Sequence, residues 1–386
     1  MNILTLNKIA ACGTDLFDDK YTVGEAVEAP VGILVRSAAM HDMEMPESLL
    51  AIARAGAGTN NIPVDACGEK GIVVFNTPGA NANAVKELVL CGLFLASRKV
   101  VDGIEWAKSL KDEGDAVGKL VEKGKGQFVG PEILGKKLGV IGLGAIGGMV
   151  ANAADALGMQ VYGYDPYMSV KAAWGLNPTV HQVSDMAEIF AACDYISLHV
   201  PCMDSTKGMI NADTIANMKD GVRILNFARG ELVDNTAMIA ALESGKVARY
   251  VVDFPKAELL ETANVVPLPH LGASTPESED NCAIMAVQQM IDYLENGNIV
   301  NSVNYPNVAG PRSTVCRVCV MHKNEPGLIA QISGVMSDAG INVESMLNRS
   351  RKELAYTALD IDSVASADVI AALTAVEGVI RVRCIV

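Results

Sequence analysis

The run Lys137-Leu-Gly-Val-Ile-Gly-Leu-Gly-Ala-Ile-Gly-Gly, followed by a lone acidic residue at Asp165, constrains this chain more than any other feature. Leu138 to Ile141 form a short apolar strand. Gly142, Gly144 and Gly147 then fill a GxGxxG pattern, and an apolar helix continues through Met149, Val150 and Leu157. The first glycine of such a turn permits the tight bend, the second lets backbone approach a pyrophosphate, and the third lets helix and strand pack closely. The helix N-terminus then faces the phosphates. A second strand, Gln160 to Tyr164, ends at Asp165, 18 residues beyond Gly147. That spacing is close to the roughly 20 expected of a ribose-binding carboxylate. Asp165 repels a 2′-phosphate and the Pro166-Tyr167 that follows supplies no cation, so NAD is expected rather than NADP.

The turn begins late, so something of domain size precedes it. With 386 residues, the chain has room for two or three domains. Half the residues are hydrophobic but only 5% are aromatic, which suits α/β layers rich in Ala, Val, Ile and Leu. A net charge of −14 leaves no basic stripe for nucleic acid. The opening residues lack a signal peptide's apolar core, and nine cysteines without an export signal point to free thiols in the reducing cytoplasm. The longest uncharged run, Leu138 to Ala154, contains five glycines and reads as the nucleotide turn, not a membrane span. Cys316 and Cys319 lie three apart in an alternating strand pattern and should face opposite sides, so no metal site is expected there.

The chain divides at its punctuation. Residues 1–97 carry apolar strands at Val31–Val35 and Ile72–Phe75 between helical stretches, and 98–276 carry the nucleotide turn. A long helix from Pro276 to Asn296 should return the chain to the first domain, which 277–306 completes. Two prolines and a glycine make 307–313 a linker. The tail, 314–386, reads strand (315–321), helix (326–339), strand (342–348), strand (354–361), helix (366–376), strand (379–385).

Catalytic candidates follow apolar strands in the nucleotide half. Arg229 comes just after Val222–Leu225, and its planar fork matches a carboxylate bidentately. His270 comes just after Val265–Leu268, and an imidazole is a natural proton partner for a hydroxyl losing a hydride. Glu258, five residues beyond Asp253, is the candidate carboxylate to orient that ring.

Several motifs together resemble the D-isomer-specific 2-hydroxyacid dehydrogenases. They are Arg54-Ala-Gly-Ala-Gly-Thr-Asn-Asn, Asn76-Thr-Pro-Gly-Ala-Asn81, the glycine turn, Ser197-Leu-His-Val-Pro201, Asn226-Phe-Ala-Arg229-Gly, Asp253 and Pro269-His270. The tail, with His322-Lys-Asn-Glu-Pro-Gly, is similar to ACT domains. The resemblance implies an α/β chain: a discontinuous flavodoxin-like substrate domain, a Rossmann NAD-binding domain, and a βαββαβ ferredoxin-like regulatory domain. It implies Arg229, Glu258 and His270 as catalytic. NAD is expected against Gly142, Gly144, Ala145, Ile146, Gly147, Asp165, His199, Val200, Pro201, Thr206, Phe227, Ala228, Asp253 and Gly272.

Substrate contacts are expected from Gly56, Ala57, Gly58 and Asn81, with Arg36 and Arg54 as phosphate-binding cations. The implied reaction is oxidation of 3-phospho-D-glycerate to 3-phosphohydroxypyruvate on the route to serine, in a homodimer or homotetramer. L-Serine would act as effector at His322 and Asn324 of one copy and Asn342 of another. The segment Asp253-Phe-Pro-Lys-Ala-Glu258-Leu lacks the family's proline after the glutamate, and aligning on Phe-Pro would put Ala257 in its place. Two other readings stay open: a dehydrogenase of an unphosphorylated D-2-hydroxy acid, and a non-catalytic NAD-binding regulator.

Overall fold

The computed structural model describes residues 1–312 and 314–386; Ser313, in the expected linker, lies outside the described residues. Five short parallel strands come first: β1 (Asn2–Leu6), β2 (Thr22–Gly24), β3 (Gly32–Val35), β4 (Ala51–Arg54) and β5 (Val73–Phe75), in the order β2-β1-β3-β4-β5. Strands covered on both faces are apolar throughout rather than alternating, and all four residues of β3 are buried. One face packs Ile33, Val35, Ile52 and Val74 with Met40, Leu49 and Ile62. The other packs Ile3, Leu34, Val73 and Phe75 against Val287, Met290 and Tyr293 of the helix Pro276–Asn296, which does return to the first sheet.

A seven-stranded parallel sheet follows: β6 (Lys137–Ile141), β7 (Gln160–Tyr164), β8 (His181–Gln182), β9 (Tyr195–Leu198), β10 (Val222–Asn226), β11 (Val247–Val252) and β12 (Val265–Pro267). Its order, β12-β11-β10-β9-β6-β7-β8, reverses between β6 and β9, so the ligand crevice is expected beyond their carboxyl ends. This unit spans Ala82–Thr275. Its first helix, Ala82–Ser97, packs Val85, Val89 and Leu93 into the same core as Val140 and Leu225. The helix therefore belongs to the nucleotide unit and not to the first domain, although the sequence alone suggests that this domain runs to residue 97.

The tail forms an antiparallel sheet from β13 (Cys316–Lys323), β14 (Val343–Arg351), β15 (Leu354–Ile361) and β16 (Val379–Ile385), ordered β14-β15-β13-β16. Side chains alternate across β13. Cys316, Val318 and Val320 meet the helices Leu328–Asp338 and Ala367–Thr374 on one face. Cys319 and Met321 point the other way, with Tyr356, Ala358 and Ile385, into the core that holds Ile3, Phe75 and Tyr293. The tail and the segments Met1–Asn81 and Pro276 onward thus form one compact unit instead of two domains joined by a loose linker. The physical reason is that this sheet is apolar on both faces while its own helices cover only one. No helix among the described residues is long and apolar enough to cross a membrane.

Arg317 fastens this junction. Its fork meets Asp360 at 2.6 and 2.9 Å, and it also donates to the carbonyls of Asn296, Gly310 and Pro311 at 2.9, 3.2 and 3.1 Å. Both charges are buried, so removing one strands the other. Asp360→Ala should cost about 3–5 kcal/mol in urea unfolding, whereas Arg317→Met with Asp360→Leu should cost less. Equal losses in the two variants would show that the charge pair is not what matters there.

Candidate active site

Three glycines at the end of β6 have three different surroundings. Gly142 takes φ +90°, and a Cβ there would come within 2.6 Å of the His199 carbonyl. A Cβ on Gly147 would lie 1.8 Å from the Gly142 carbonyl, so helix and turn touch backbone to backbone. A Cβ on Gly144 would meet nothing within 4 Å. Gly144 is the N-cap of the helix Ala145–Ala156 and has no side chain to cap it. The leading amides, Ala145 and Ile146 among them, therefore face open space at a positive helix end, which is what a pyrophosphate needs.

Asp165, at the carboxyl end of β7, accepts from the Leu143 amide on one oxygen and from the Tyr167 amide on the other, both at 2.9 Å. It braces the glycine turn and keeps spare lone pairs for a ribose diol. His199 leads out of β9, its Nε2 2.8 Å from Ser197 Oγ; burial pushes its ring down to about 4, so it is neutral at ordinary pH. Val200 backs the turn at Gly142. Thr206 donates to the Pro201 carbonyl at 2.6 Å and accepts from the Met203 amide at 2.9 Å, closing that loop.

At β10 the buried Asn226 builds the next turn, accepting from the Ala228 amide at 3.2 Å and donating to the Arg229 carbonyl at 2.8 Å. Phe227 anchors the turn in the core, leaving Arg229 exposed with one guanidinium nitrogen on the Ala228 carbonyl at 2.6 Å. After β11 the buried Asp253 takes the Leu271 amide on one oxygen and the Gly272 amide on the other, both at 2.8 Å. That clamp holds exposed His270 at φ 55°. Non-glycine residues seldom adopt such a conformation without support from their surroundings. Phe254 lies between the two candidates, its ring 4.3 Å from the His270 ring and 5.6 Å from the Arg229 guanidinium.

Arg229 and His270 are thus brought to one aromatic platform. Glu258 is placed differently: it is exposed and accepts from Asn235 Nδ2 at 2.8 Å, which holds its carboxyl below the usual range. Sequence reasoning missed Asn226 and Phe254 as site-building residues, although each adjoins a residue it named.

The loop after β4 is built like an anion cradle. Its three successive carbonyls are all engaged: Gly56 by the Thr77 amide at 3.1 Å, Ala57 by Asn76 Nδ2 at 2.6 Å, and Gly58 by Arg54 Nη1. Among the described residues the Ala57 and Gly58 amides donate to nothing, so a carboxylate has two free donors. Arg54 also donates to the Arg36 carbonyl at 2.9 Å, and Arg36 pairs with Glu279 at 2.5 Å. Asn81 is half-buried just ahead of the helix Ala82–Ser97.

In the tail, buried His322 donates from Nδ1 to the Lys323 carbonyl at 2.7 Å, and its Nε2 lies 2.9 Å from Thr357 Oγ1. Burial lowers its pKa. Both ring nitrogens are occupied, so the ring is enclosed within the sheet rather than presented to a ligand. Asn324 is exposed and donates to the Lys352 carbonyl at 3.0 Å. Asn342 donates to Glu344 at 3.0 Å and stands at the opposite end of the strands, where Val343 pairs with Ile361. One chain does not gather the three.

The contrast between two glycines gives a test. Gly144→Ala should fold normally and lose NAD affinity by about tenfold or more, because its methyl enters the space left for the pyrophosphate. Gly147→Ala should also lower thermal stability, since its methyl collides with backbone. A Gly144→Ala protein with wild-type NAD titration would move the pyrophosphate away from this turn.

Residues 93–272 match the family model described as D-isomer specific 2-hydroxyacid dehydrogenase, NAD binding domain. Among relatives, the chain is 34% identical over 350 residues to the D-3-phosphoglycerate dehydrogenase of Escherichia coli K12, covering 87% of this chain and 82% of that one. It is 32% identical over 359 residues to the Haemophilus influenzae protein of the same name, covering 88% and 82%. The crystal structure of cofactor(NAD+) bound 3-phosphoglycerate dehydrogenase in Entamoeba histolytica aligns with a TM-score of 0.59 at 27% identity, covering 79% of this chain and 98% of that one. With the glycine turn, Asp165, Arg229 and His270 standing in that framework, the chain belongs to the NAD-dependent D-isomer specific 2-hydroxyacid dehydrogenases.

Proposed function

We propose that the chain oxidises 3-phospho-D-glycerate to 3-phosphohydroxypyruvate with NAD, the entry to the phosphorylated route to L-serine. The observation that carries this reading is the likeness, over more than four-fifths of both chains, to relatives bearing the phosphoglycerate dehydrogenase name. NAD, when bound, supplies the hydride acceptor. The Gly144 gap, the amides of Ala145 and Ile146, and the Asp165 carboxylate are the groups to hold it. Loop residues Val200, Pro201, Thr206 and Ala228 would line the same site.

In the nucleotide unit Arg229 grips the substrate carboxylate and polarises the C2 oxygen. In the first unit the Ala57 and Gly58 amides are the donors suited to a carboxylate. His270 takes the hydroxyl proton as the C2–H bond breaks. For Glu258 to steady the resulting imidazolium, its side chain must leave Asn235 for His270. Phe254 touches both Arg229 and His270, so each has a packing neighbour other than Glu258. Arg36 and Arg54 serve the phosphate end.

In the tail, L-serine would lie where Asn324 of one copy approaches Asn342 of another, which requires a homodimer or homotetramer. The placement of those two residues at opposite ends of one sheet supports a shared seam. The enclosed His322 would shape it from beneath.

His270→Ala should lower turnover by roughly 100- to 10,000-fold while NAD titration stays near wild type. Retention of more than about a tenth of the turnover would remove His270 as the base. A panel of 3-phospho-D-glycerate against D-glycerate decides the substrate class, and preference for D-glycerate would establish the unphosphorylated reading. For regulation, serine should inhibit the wild type, and Asn342→Ala should relieve that inhibition by an amount within the usual coupling of about 1–3 kcal/mol. Unchanged inhibition in Asn342→Ala would place the effector elsewhere.

A further inference from the structure

Arg36 follows β3 and Asn7 follows β1, the neighbouring strands at which the order of the first sheet reverses. Open α/β sheets take ligands in the crevice beyond the carboxyl ends at such a reversal. The backbone there is fixed from two sides. Asn7, at φ 78°, accepts from the Ser37 and Ala38 amides at 3.0 and 2.8 Å. Arg54 Nε donates to the Arg36 carbonyl at 2.9 Å. Only the Arg36 side chain is left free to adjust.

That side chain is not idle. Its Nη2 meets Glu279 Oε1 at 2.5 Å, with the two side chains 46% and 45% exposed. Among the described residues this is one nitrogen on one oxygen, so most of the guanidinium fork remains open to a second anion. Glu279 stands in the first turn of the helix Pro276–Asn296 and reaches Arg36 across 243 residues of sequence.

We propose that Glu279 is the resident counter-ion of Arg36, which a phosphorylated substrate must displace, and that it thereby tunes how strongly the enzyme prefers phosphorylated over unphosphorylated 2-hydroxy acids. The inference rests on the reading of Arg36 as a phosphate contact. A phosphate offers a charge near −2 and three acceptor oxygens, so it outcompetes a single carboxylate oxygen for the fork. A singly charged acid without phosphate makes no claim on Arg36 and does not disturb the pair. Glu279 therefore lowers affinity for anything carrying phosphate, including free inorganic phosphate. In a chain of net charge −14, a bare arginine at this edge would otherwise collect small anions indiscriminately.

The test compares kcat/KM for 3-phospho-D-glycerate and D-glycerate in wild type, Glu279→Gln, Arg36→Met and the double variant. Both side chains are half exposed, so these changes leave the fold in place. Glu279→Gln should raise the phosphorylated-to-unphosphorylated ratio about two- to fivefold, the scale of a half-exposed ion pair, with the change falling in KM. Competitive inhibition by inorganic phosphate should strengthen by a similar factor. Arg36→Met should collapse the ratio, and in that background Glu279→Gln should change nothing further.

If Arg36→Met collapses the ratio but Glu279→Gln leaves it unchanged or lowers it, the counter-ion role alone is overturned. If Arg36→Met leaves the ratio intact, the phosphate contact and the counter-ion role fall together.

Discussion

Asp253 commits both of its carboxylate oxygens to backbone amides, and the position of His270 depends on that one clamp. A buried carboxylate must be satisfied, and charge-assisted bonds to N–H groups are the strong kind. The chain leaving β12 therefore has one place to go. It turns through an unfavourable φ at His270 because the two residues that follow are already held. Asn226 does the same at the neighbouring strand end with an amide instead of a carboxylate. Arg229 and His270 thus reach Phe254 from two turns, each fixed by a buried polar residue at or just after the end of a neighbouring strand. Catalytic side chains on loops gain precision when their loops are fixed by buried groups rather than by the side chains themselves.

A second constraint shapes the rest of the chain. The antiparallel sheet of the tail has apolar residues on both faces and two helices on only one. Its other face is covered by the first sheet's helix layer, with Arg317 and Asp360 sealed inside the junction. The tail is thus packed into the same unit as the Arg36 and Arg54 edge rather than attached to it through residues 307–312 alone.

Much of this was legible in residue order because it is local. The strand read at 354–361 coincides with β15, and the alternation that separates Cys316 from Cys319 sends them into different cores. The glycine turn, the strand to Tyr164 and Asp165 fall where spacing placed them. What stayed hidden is long-range. The burial of Arg317 has no local signal, because nothing near it in sequence announces Asp360 or the Asn296 carbonyl. Glu258 was placed by counting from Asp253, and counting cannot see that Asn235 competes for it. The split at residue 97 failed for a related reason: the helix Ala82–Ser97 is apolar enough for either unit, and only packing decides.

The core that unites the tail with the first sheet contains both Ile3 and Ile385. A core whose walls come from both β1 and β16 cannot close during synthesis until β16 has been made. The nucleotide unit, Ala82–Thr275, is contiguous and can fold as it emerges. The first sheet must instead wait with Leu34, Phe75 and their neighbours uncovered on one face until the helix Pro276–Asn296 and β16 follow, so its long-range core closes more slowly than that of the nucleotide unit.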